Sequence, residues 1–233
     1  MSQPSPVHPV VNSPSSAAWR SPSAWAWMLS VCVLAIVIDL GSKHLAFGRV
    51  ADVPVEVTRE QVLAVIREKD ARAISPELVP QHDPVVVVPE VLHFTLVLNP
   101  GAVFGIGPGQ RMFFVGFTVL ALGFGLLMFA RWTGPRDHFA HAAIGLLIGG
   151  GLGNLYDRLQ YACVRDFLHP LPGWRWPFGL SLLGGREVWP YVSNLADLFL
   201  LVGIAMLLAH LWKRDRAEDR ARAAAKRPPA VTA

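Results

Sequence analysis

Apolar residues are concentrated in four long segments of the chain, and polar residues gather between these segments and at their ends. An α-helix needs about 20 predominantly apolar residues to cross the hydrocarbon core of a bilayer. The pattern therefore predicts an integral membrane protein, mainly α-helical, built as a bundle of four transmembrane helices. The predicted spans are residues 24–47, 112–130, 138–155 and 194–212.

The sequence between the first two spans predicts a small extramembrane unit. Thr58 and Gln61 have the spacing of a capping box, which predicts a short amphipathic helix that runs to about Ala73. The β-branched run at 85–88 and the alternating apolar residues at 92–98 predict two strands of a small extracytoplasmic β-sheet. The apolar face of the second strand would lie either in a core or against lipid.

Composition agrees with a membrane protein. The chain is 52% hydrophobic and 16% charged, whereas soluble domains average about 45–50% apolar and about 25% charged residues. The formal net charge is +4, and the excess of basic residues lies in a C-terminal tail that directly follows an apolar segment. Such a tail fits contact with an inner leaflet better than nucleic-acid binding.

Basic residues also predict the topology. Arg20, Arg131, Arg136 and the basic tail share one side of the predicted bundle, which the positive-inside rule makes cytoplasmic. Both termini would then be cytoplasmic. The sequence predicts a disordered cytoplasmic tail (1–23), a four-span membrane domain (24–212) and a basic cytoplasmic tail (213–233). The membrane domain has two extracytoplasmic insertions, at 48–111 and 159–193, and the second insertion carries an interfacial loop or helix.

Polar side chains cluster where the spans reach the extracytoplasmic level. Asn154, Asp157 and Arg158 share one helix face, and Asn194 and Asp197 lie one turn apart on the last span. Polar and ionisable groups are costly near lipid, and they usually mark functional sites. Asp39, Lys43, Asn99 and Asp166 fall at the same level.

Asp166 and Asp197 are the candidate catalytic pair. Two aspartates near lipid cannot comfortably both ionise, so such a pair holds one proton between them. The ionised carboxylate would activate a water molecule, and the protonated one would polarise the scissile carbonyl. Asp157, which precedes Arg158, is instead expected to be held ionised by an arginine in a structural role. The alternative is that these aspartates are helix caps or interfacial charges.

Asp39 and Lys43 are four residues apart. They would either pair on one helix face or stand as unrelated interfacial charges. In the third span, Gly145, Gly149 and Gly153 repeat every four residues, a pattern that allows close approach of a neighbouring helix.

No metal or cofactor is predicted. The eight histidines are scattered along the chain, and the sequence has no His-Glu-x-x-His, Cys-x-x-Cys or Gly-x-Ser-x-Gly motif. Cys32 and Cys163 are expected to be buried thiols.

Five sequence blocks resemble the lipoprotein signal peptidases (signal peptidase II), a family of bacterial inner-membrane aspartic peptidases. The blocks occur in the order and spacing of that family. They are DLGSK (39–43), LNPGAVFG (98–105), GNLYDR (153–158), VRDF (164–167) and SNLAD (193–197).

The resemblance implies cleavage of diacylglyceryl-modified prolipoproteins just before the lipidated cysteine, with the active site facing the periplasm. It implies no metal or cofactor and no nucleic-acid partner. Membrane lipids would be the other partners, and the protein is expected to be a monomer. In this family, Asp166 and Asp197 would be catalytic; Asn99, Gly101, Asn154, Arg158 and Asn194 would bind substrate or position the pair; Asp39, Lys43 and Asp157 would support the site.

Four residues depart from the blocks as we expect them: Leu40, Pro100, Arg165 and Ser193. None of them replaces a catalytic carboxylate, so activity is expected to be kept. Arg165 and the long insertions would instead alter the pocket, and with it substrate range and inhibitor sensitivity. The alternatives from other classes are a small proton-coupled transporter and an inactive lipoprotein-binding homologue.

Overall fold

A computed structural model describes residues 17–101, 111–180 and 186–225 of the 233-residue chain. Among these residues, four helices are long and apolar enough to cross a membrane, which confirms the predicted four-span fold. The last of them continues beyond Trp212 through the basic segment. The four helices are α1 (Pro22–Arg49), α4 (Arg111–Trp132), α5 (His138–Gln160) and α6 (Leu195–Ala225).

Helix α5 lies at the centre of the bundle. In its most apolar stretch 61% of residues are buried, against 11–28% in the other three helices. A Cβ at Gly145 would lie 2.7 Å from the carbonyl oxygen of Met28 in α1, and a Cβ at Gly150 would lie 2.6 Å from that of Ala196 in α6. Because only glycine tolerates such approaches, the glycines of α5 allow close packing on both sides, as the sequence pattern indicated.

The insertion between α1 and α4 begins with two short helices, α2 (Arg59–Glu68) and α3 (Ile74–Leu78). The predicted capping box is present at the start of α2. The prediction that this helix reaches Ala73 was wrong. Asp70 accepts a hydrogen bond from the backbone N–H of Arg72 (3.0 Å) and starts a separate 3-10 turn, because an aspartate side chain competes with the helix for backbone donors.

A three-stranded antiparallel sheet follows, in the order β1 (Val85–Val88), β2 (Leu92–Asn99) and β3 (Val164–Pro170). The first two strands confirm the prediction. The third strand was not predicted, because its residues fall in the insertion 159–193, for which the sequence predicts an interfacial loop. In the register of the sheet, Val97 is opposite Asp166, so the sheet itself sets the position of this carboxylate.

A small apolar core packs the sheet against helices α2 and α3. Leu96 and Leu98 of β2 are 3% and 2% exposed, so the apolar face of this strand lies in a protein core. They pack with Val62, Ile74 and Phe167. This cluster holds β2 and β3 at the end of the helix bundle. Both cysteines are free and buried, as expected.

Candidate active site

Asp166 of β3 is 1% exposed and is held by two amide groups. The side chain of Asn194 donates to its Oδ1 over 2.6 Å, and the side chain of Asn99 donates to its Oδ2 over 3.0 Å. Asn99 is the last residue of β2, so the strand pairing brings it beside Asp166. Both oxygens of this carboxyl group are therefore fixed in direction.

Asp197, in the first turn of α6, is half-buried. Its Oδ2 accepts the backbone N–H of Asn194 (3.3 Å), and its own N–H donates to Oδ1 of Asn194 (3.1 Å). This reciprocal arrangement is a capping box built from asparagine and aspartate. It explains the Asn-x-x-Asp spacing in the sequence, and it fixes Asp197 at the helix end.

Asn154 of α5 contacts Asp197 directly and is connected to Asp166 through Asn194. Its Nδ2 donates to Oδ1 of Asp197 over 2.8 Å. Its Oδ1 accepts from Asn194 and from the ammonium group of Lys43, each over 3.1 Å. Since both donors occupy the oxygen, the amide can present only its N–H group to Asp197.

The environment of Asp166 favours its protonated form. Burial, together with the negative charge of Asp197, raises its pKa to about 8, against the opposing effect of the amides of Asn99 and Asn194. A carboxyl group that keeps its proton near neutral pH can donate a hydrogen bond. The site therefore offers one buried acid beside one half-buried, hydrogen-bonded carboxylate.

Lys43 lies fully buried behind these groups. Its Nζ is 2.8 Å from Oδ2 of Asp39 and 3.4 Å from Oδ2 of Asp157. Asp39 and Lys43 thus pair on one helix face, which settles the two alternatives left by the sequence. The other oxygen of Asp39 accepts the backbone N–H of Ala196 over 2.9 Å, and this contact ties α1 to the first turn of α6.

Asp157 is fully buried, and its arginine partner is Arg165. The Nη2 of Arg165 lies 2.8 Å from Oδ1 of Asp157, and the backbone N–H of Arg165 donates to Oδ2 over 3.0 Å. The neighbouring residue Arg158 points elsewhere. It donates to the carbonyl oxygens of Gly101 (3.3 Å) and Asn154 (3.2 Å).

The structure also places the residues that depart from the expected blocks. Arg165 contacts Asp157 and stacks over Tyr161, with 4.3 Å between the guanidinium carbon and the ring centroid. Ser193 exchanges backbone hydrogen bonds of 2.8 Å with Leu168 and so joins β3 to α6. Nothing in the described structure explains Leu40 or Pro100. Gly101 donates its N–H to Oδ1 of Asn99 over 3.0 Å, and residues 102–105 of its block lie outside the described residues.

Sequence reasoning missed two further residues near the site. Ser75 of α3 accepts the backbone N–H of Leu98 (2.7 Å) and donates to its carbonyl oxygen (3.1 Å). Nε2 of His82 accepts the backbone N–H of Leu96 over 3.1 Å. In the part of β2 that leads to Asn99, these two side chains supply backbone hydrogen bonds that a neighbouring strand would otherwise make. No local motif marks them, because the contacts join residues 14 to 23 positions apart.

The fold and site define a class: a multi-span membrane protein with two carboxyl groups in one hydrogen-bond network at the end of its helix bundle. Comparison with known proteins specifies this class. The family described as "Signal peptidase (SPase) II" matches residues 31–213. The chain is 30% identical to a lipoprotein signal peptidase of Halothermothrix orenii over 158 residues, which is 68% of this chain and 96% of the relative.

A second relative is the lipoprotein signal peptidase of Pelotomaculum thermopropionicum, 36% identical over 156 residues, which is 66% of this chain and 90% of the relative. A solved bacterial membrane enzyme, determined by the in meso method at 2.3 Å resolution, has the same fold, with a TM-score of 0.55 and 23% identity. That match covers 81% of this chain and 88% of the other.

The chain belongs to the signal peptidase II family. It is therefore a peptidase, and the transporter and inactive-homologue alternatives are not favoured.

Proposed function

We propose that this chain removes signal peptides from diacylglyceryl-modified prolipoproteins, and that it is an aspartic peptidase. The observation that carries the proposal is the single hydrogen-bond network in which Asn154 and Asn194 link the carboxyl groups of Asp166 and Asp197. Membership of the signal peptidase II family supports the substrate class.

The two carboxyl groups have different roles in the proposed reaction. Asp166, buried and with its pKa raised to about 8, carries the proton that the pair shares and donates a hydrogen bond to the scissile carbonyl oxygen. Asp197, half-buried, is ionised. It takes a proton from water as the water oxygen attacks the carbonyl carbon. That proton then passes to the leaving amine nitrogen as the carbon–nitrogen bond breaks.

The amides around the pair hold the carboxyl groups for this reaction. Asn99 and Asn194 orient Asp166, and Asn154 orients Asp197. A reacting group fixed in direction before substrate binds avoids the cost of reorganisation in the transition state. Arg158, which already contacts the carbonyl oxygen of Gly101, would bind the substrate peptide next to Gly101.

The position of the site suits a lipid-modified substrate. The pair lies where α1, α5 and α6 approach the sheet, at one end of the apolar helices. The acyl chains of a lipidated cysteine would remain among the lipids while the adjacent peptide bond reaches the carboxyl groups. We place this end at the periplasmic face and both termini in the cytoplasm, because Arg20, the short loop with Arg131 and Arg136, and the basic tail lie at the other end.

Processing of a diacylglyceryl-prolipoprotein by the purified full chain in detergent tests the proposal. Asp166→Asn and Asp197→Asn are each expected to lower turnover by at least about 100-fold, as loss of a general acid or base does. Asp52→Asn is the matched control, since Asp52 is an exposed aspartate of the extramembrane insertion.

Near wild-type turnover in both site variants would exclude an aspartic mechanism. Loss of turnover in Asp157→Asn, with turnover kept in Asp166→Asn, would show that the pair is wrongly assigned. A second control is a related lipoprotein signal peptidase in the same assay. If that relative cleaves the substrate and the wild-type chain does not, the substrate class is excluded.

A further inference from the structure

Arg165 lies directly before Asp166 on β3, and it occupies the opposite face of the strand. Its side chain is directed away from the carboxylate pair and toward Asp157. Nη2 lies 2.8 Å from Oδ1 of Asp157 and Nε lies 3.3 Å from the same oxygen, while the backbone N–H binds Oδ2 over 3.0 Å. The residue is only 8% exposed.

The Arg165–Asp157 pair belongs to a buried cluster of four charges. Lys43 lies between Asp39 and Asp157, and Arg165 binds Asp157 from the other side. Two cations therefore balance two carboxylates. Removing one member of a buried ion pair leaves a charge without compensation, which is far more costly than losing an exposed pair.

Lys43 connects this cluster to the catalytic pair. Its Nζ donates to Oδ1 of Asn154 over 3.1 Å, and this bond keeps the Nδ2 of Asn154 directed at Asp197. Without Arg165, Lys43 is the single cation shared by both carboxylates of the cluster. Lys43 would then be drawn toward Asp157, and its bond to Asn154 would weaken.

We propose that Arg165 is a positioning residue for catalysis, acting through Asp157, Lys43 and Asn154 on the orientation of Asp197. The inference rests on the proposed function. Because Arg165 is on the far face of β3, it does not touch the substrate. Its loss is therefore expected to lower kcat and to leave KM unchanged. This distinguishes it from a residue that reshapes the substrate pocket.

Steady-state processing of a diacylglyceryl-prolipoprotein by the purified full chain tests this inference. Arg165→Leu is expected to lower kcat by about 10- to 100-fold, as ångström-scale displacement of a reacting group does, with KM within about twofold of wild type. Arg165→Lys, which keeps the charge but not the planar fork, is expected to recover part of that loss. Arg175→Leu, at an exposed arginine of the second insertion, is the matched control.

A double substitution tests the route through Asp157. In an Asp157→Asn background the uncompensated charge is gone, so adding Arg165→Leu is expected to change kcat by less than about twofold. If Arg165→Leu does not fold, the comparison of Arg165→Lys in the wild-type and Asp157→Asn backgrounds serves the same purpose.

The inference would be overturned if Arg165→Leu left kcat unchanged or raised KM alone. It would also be overturned if Arg165→Leu lowered kcat by the same factor in the wild-type and Asp157→Asn backgrounds. All three outcomes leave wild-type processing intact, so they are distinct from failure of the proposed function.

Discussion

Gly153 of α5 lies directly against the carboxylate of Asp39 in α1. A Cβ at position 153 would overlap Oδ2 of Asp39 and lie 3.1 Å from its Cγ. The same Oδ2 binds Lys43 over 2.8 Å. The glycine therefore provides the space in which a buried ion pair forms, in addition to the helix packing that the four-residue glycine spacing predicted.

Gly153→Ala is expected to displace Asp39 and to lower both stability and turnover. Overpacking of a filled interior typically costs about 1–3 kcal/mol, and here the displaced group also binds Lys43 and the first turn of α6. Thermal unfolding in detergent and prolipoprotein processing measure the two effects. Gly41→Ala is the control, because no atom lies within 4 Å of the Cβ it would add. Equal behaviour of the two variants would contradict this account of Gly153.

The pKa of about 8 at Asp166 predicts the alkaline limit of activity. Below that pH the buried acid keeps the proton that polarises the substrate carbonyl. As the pH rises through about 8 the proton is lost, and kcat is expected to fall. The pH dependence of the single-turnover cleavage rate measures this decline. A rate that keeps rising through pH 9 would show that the buried acid of the pair is not required in protonated form.

The same group predicts how stability depends on pH. Between the ordinary value of 3.8 and about 8, the folded protein holds a proton at Asp166 that the unfolded chain has released. The folded state binds more protons in this window, so the free energy of unfolding falls as the pH rises. Asp166→Asn is expected to flatten this slope in unfolding measurements from pH 5 to pH 9. An unchanged slope would show that groups other than Asp166 cause the pH dependence of the free energy of unfolding.

Asn154→Ala is expected to lower kcat by about 10- to 100-fold. The substitution removes the donor to Asp197 and the acceptor for Lys43 and Asn194 at once. Gln160→Ala is the control, because Gln160 is an exposed amide at the end of the same helix. If Asn154→Ala instead raises KM alone, Asn154 contacts the substrate and does not orient the pair.

Ser75→Ala is expected to destabilise the extramembrane unit. It removes both side-chain bonds to the backbone of Leu98 (2.7 and 3.1 Å), and an unsatisfied buried polar group costs about 1–3 kcal/mol. Thermal unfolding measures the loss. Ser30→Ala, at an exposed serine of α1, is the control. Equal unfolding temperatures for the two variants would show that water satisfies Leu98 in place of Ser75.

Local signals in the sequence were sufficient for much of the fold. The four spans follow from apolar length, and the helix start at Thr58 follows from its spacing to Gln61. The strand β3 could not be predicted in the same way. Its residues include an arginine and an aspartate, and they become a strand because they pair with β2, which lies more than 60 residues earlier in the chain.

The sequence by itself determined the membrane architecture and the set of polar residues at one end of the spans, because apolar length, helical spacing and recurring short blocks are local properties. Only the tertiary structure decided which of these residues contact one another. It paired Asp157 with Arg165 and not with the adjacent Arg158, and it joined Asp39 to Ala196, 157 positions away. Burial and partner choice at this site depend on how the helices and the sheet pack together, and packing brings together residues that no local pattern relates.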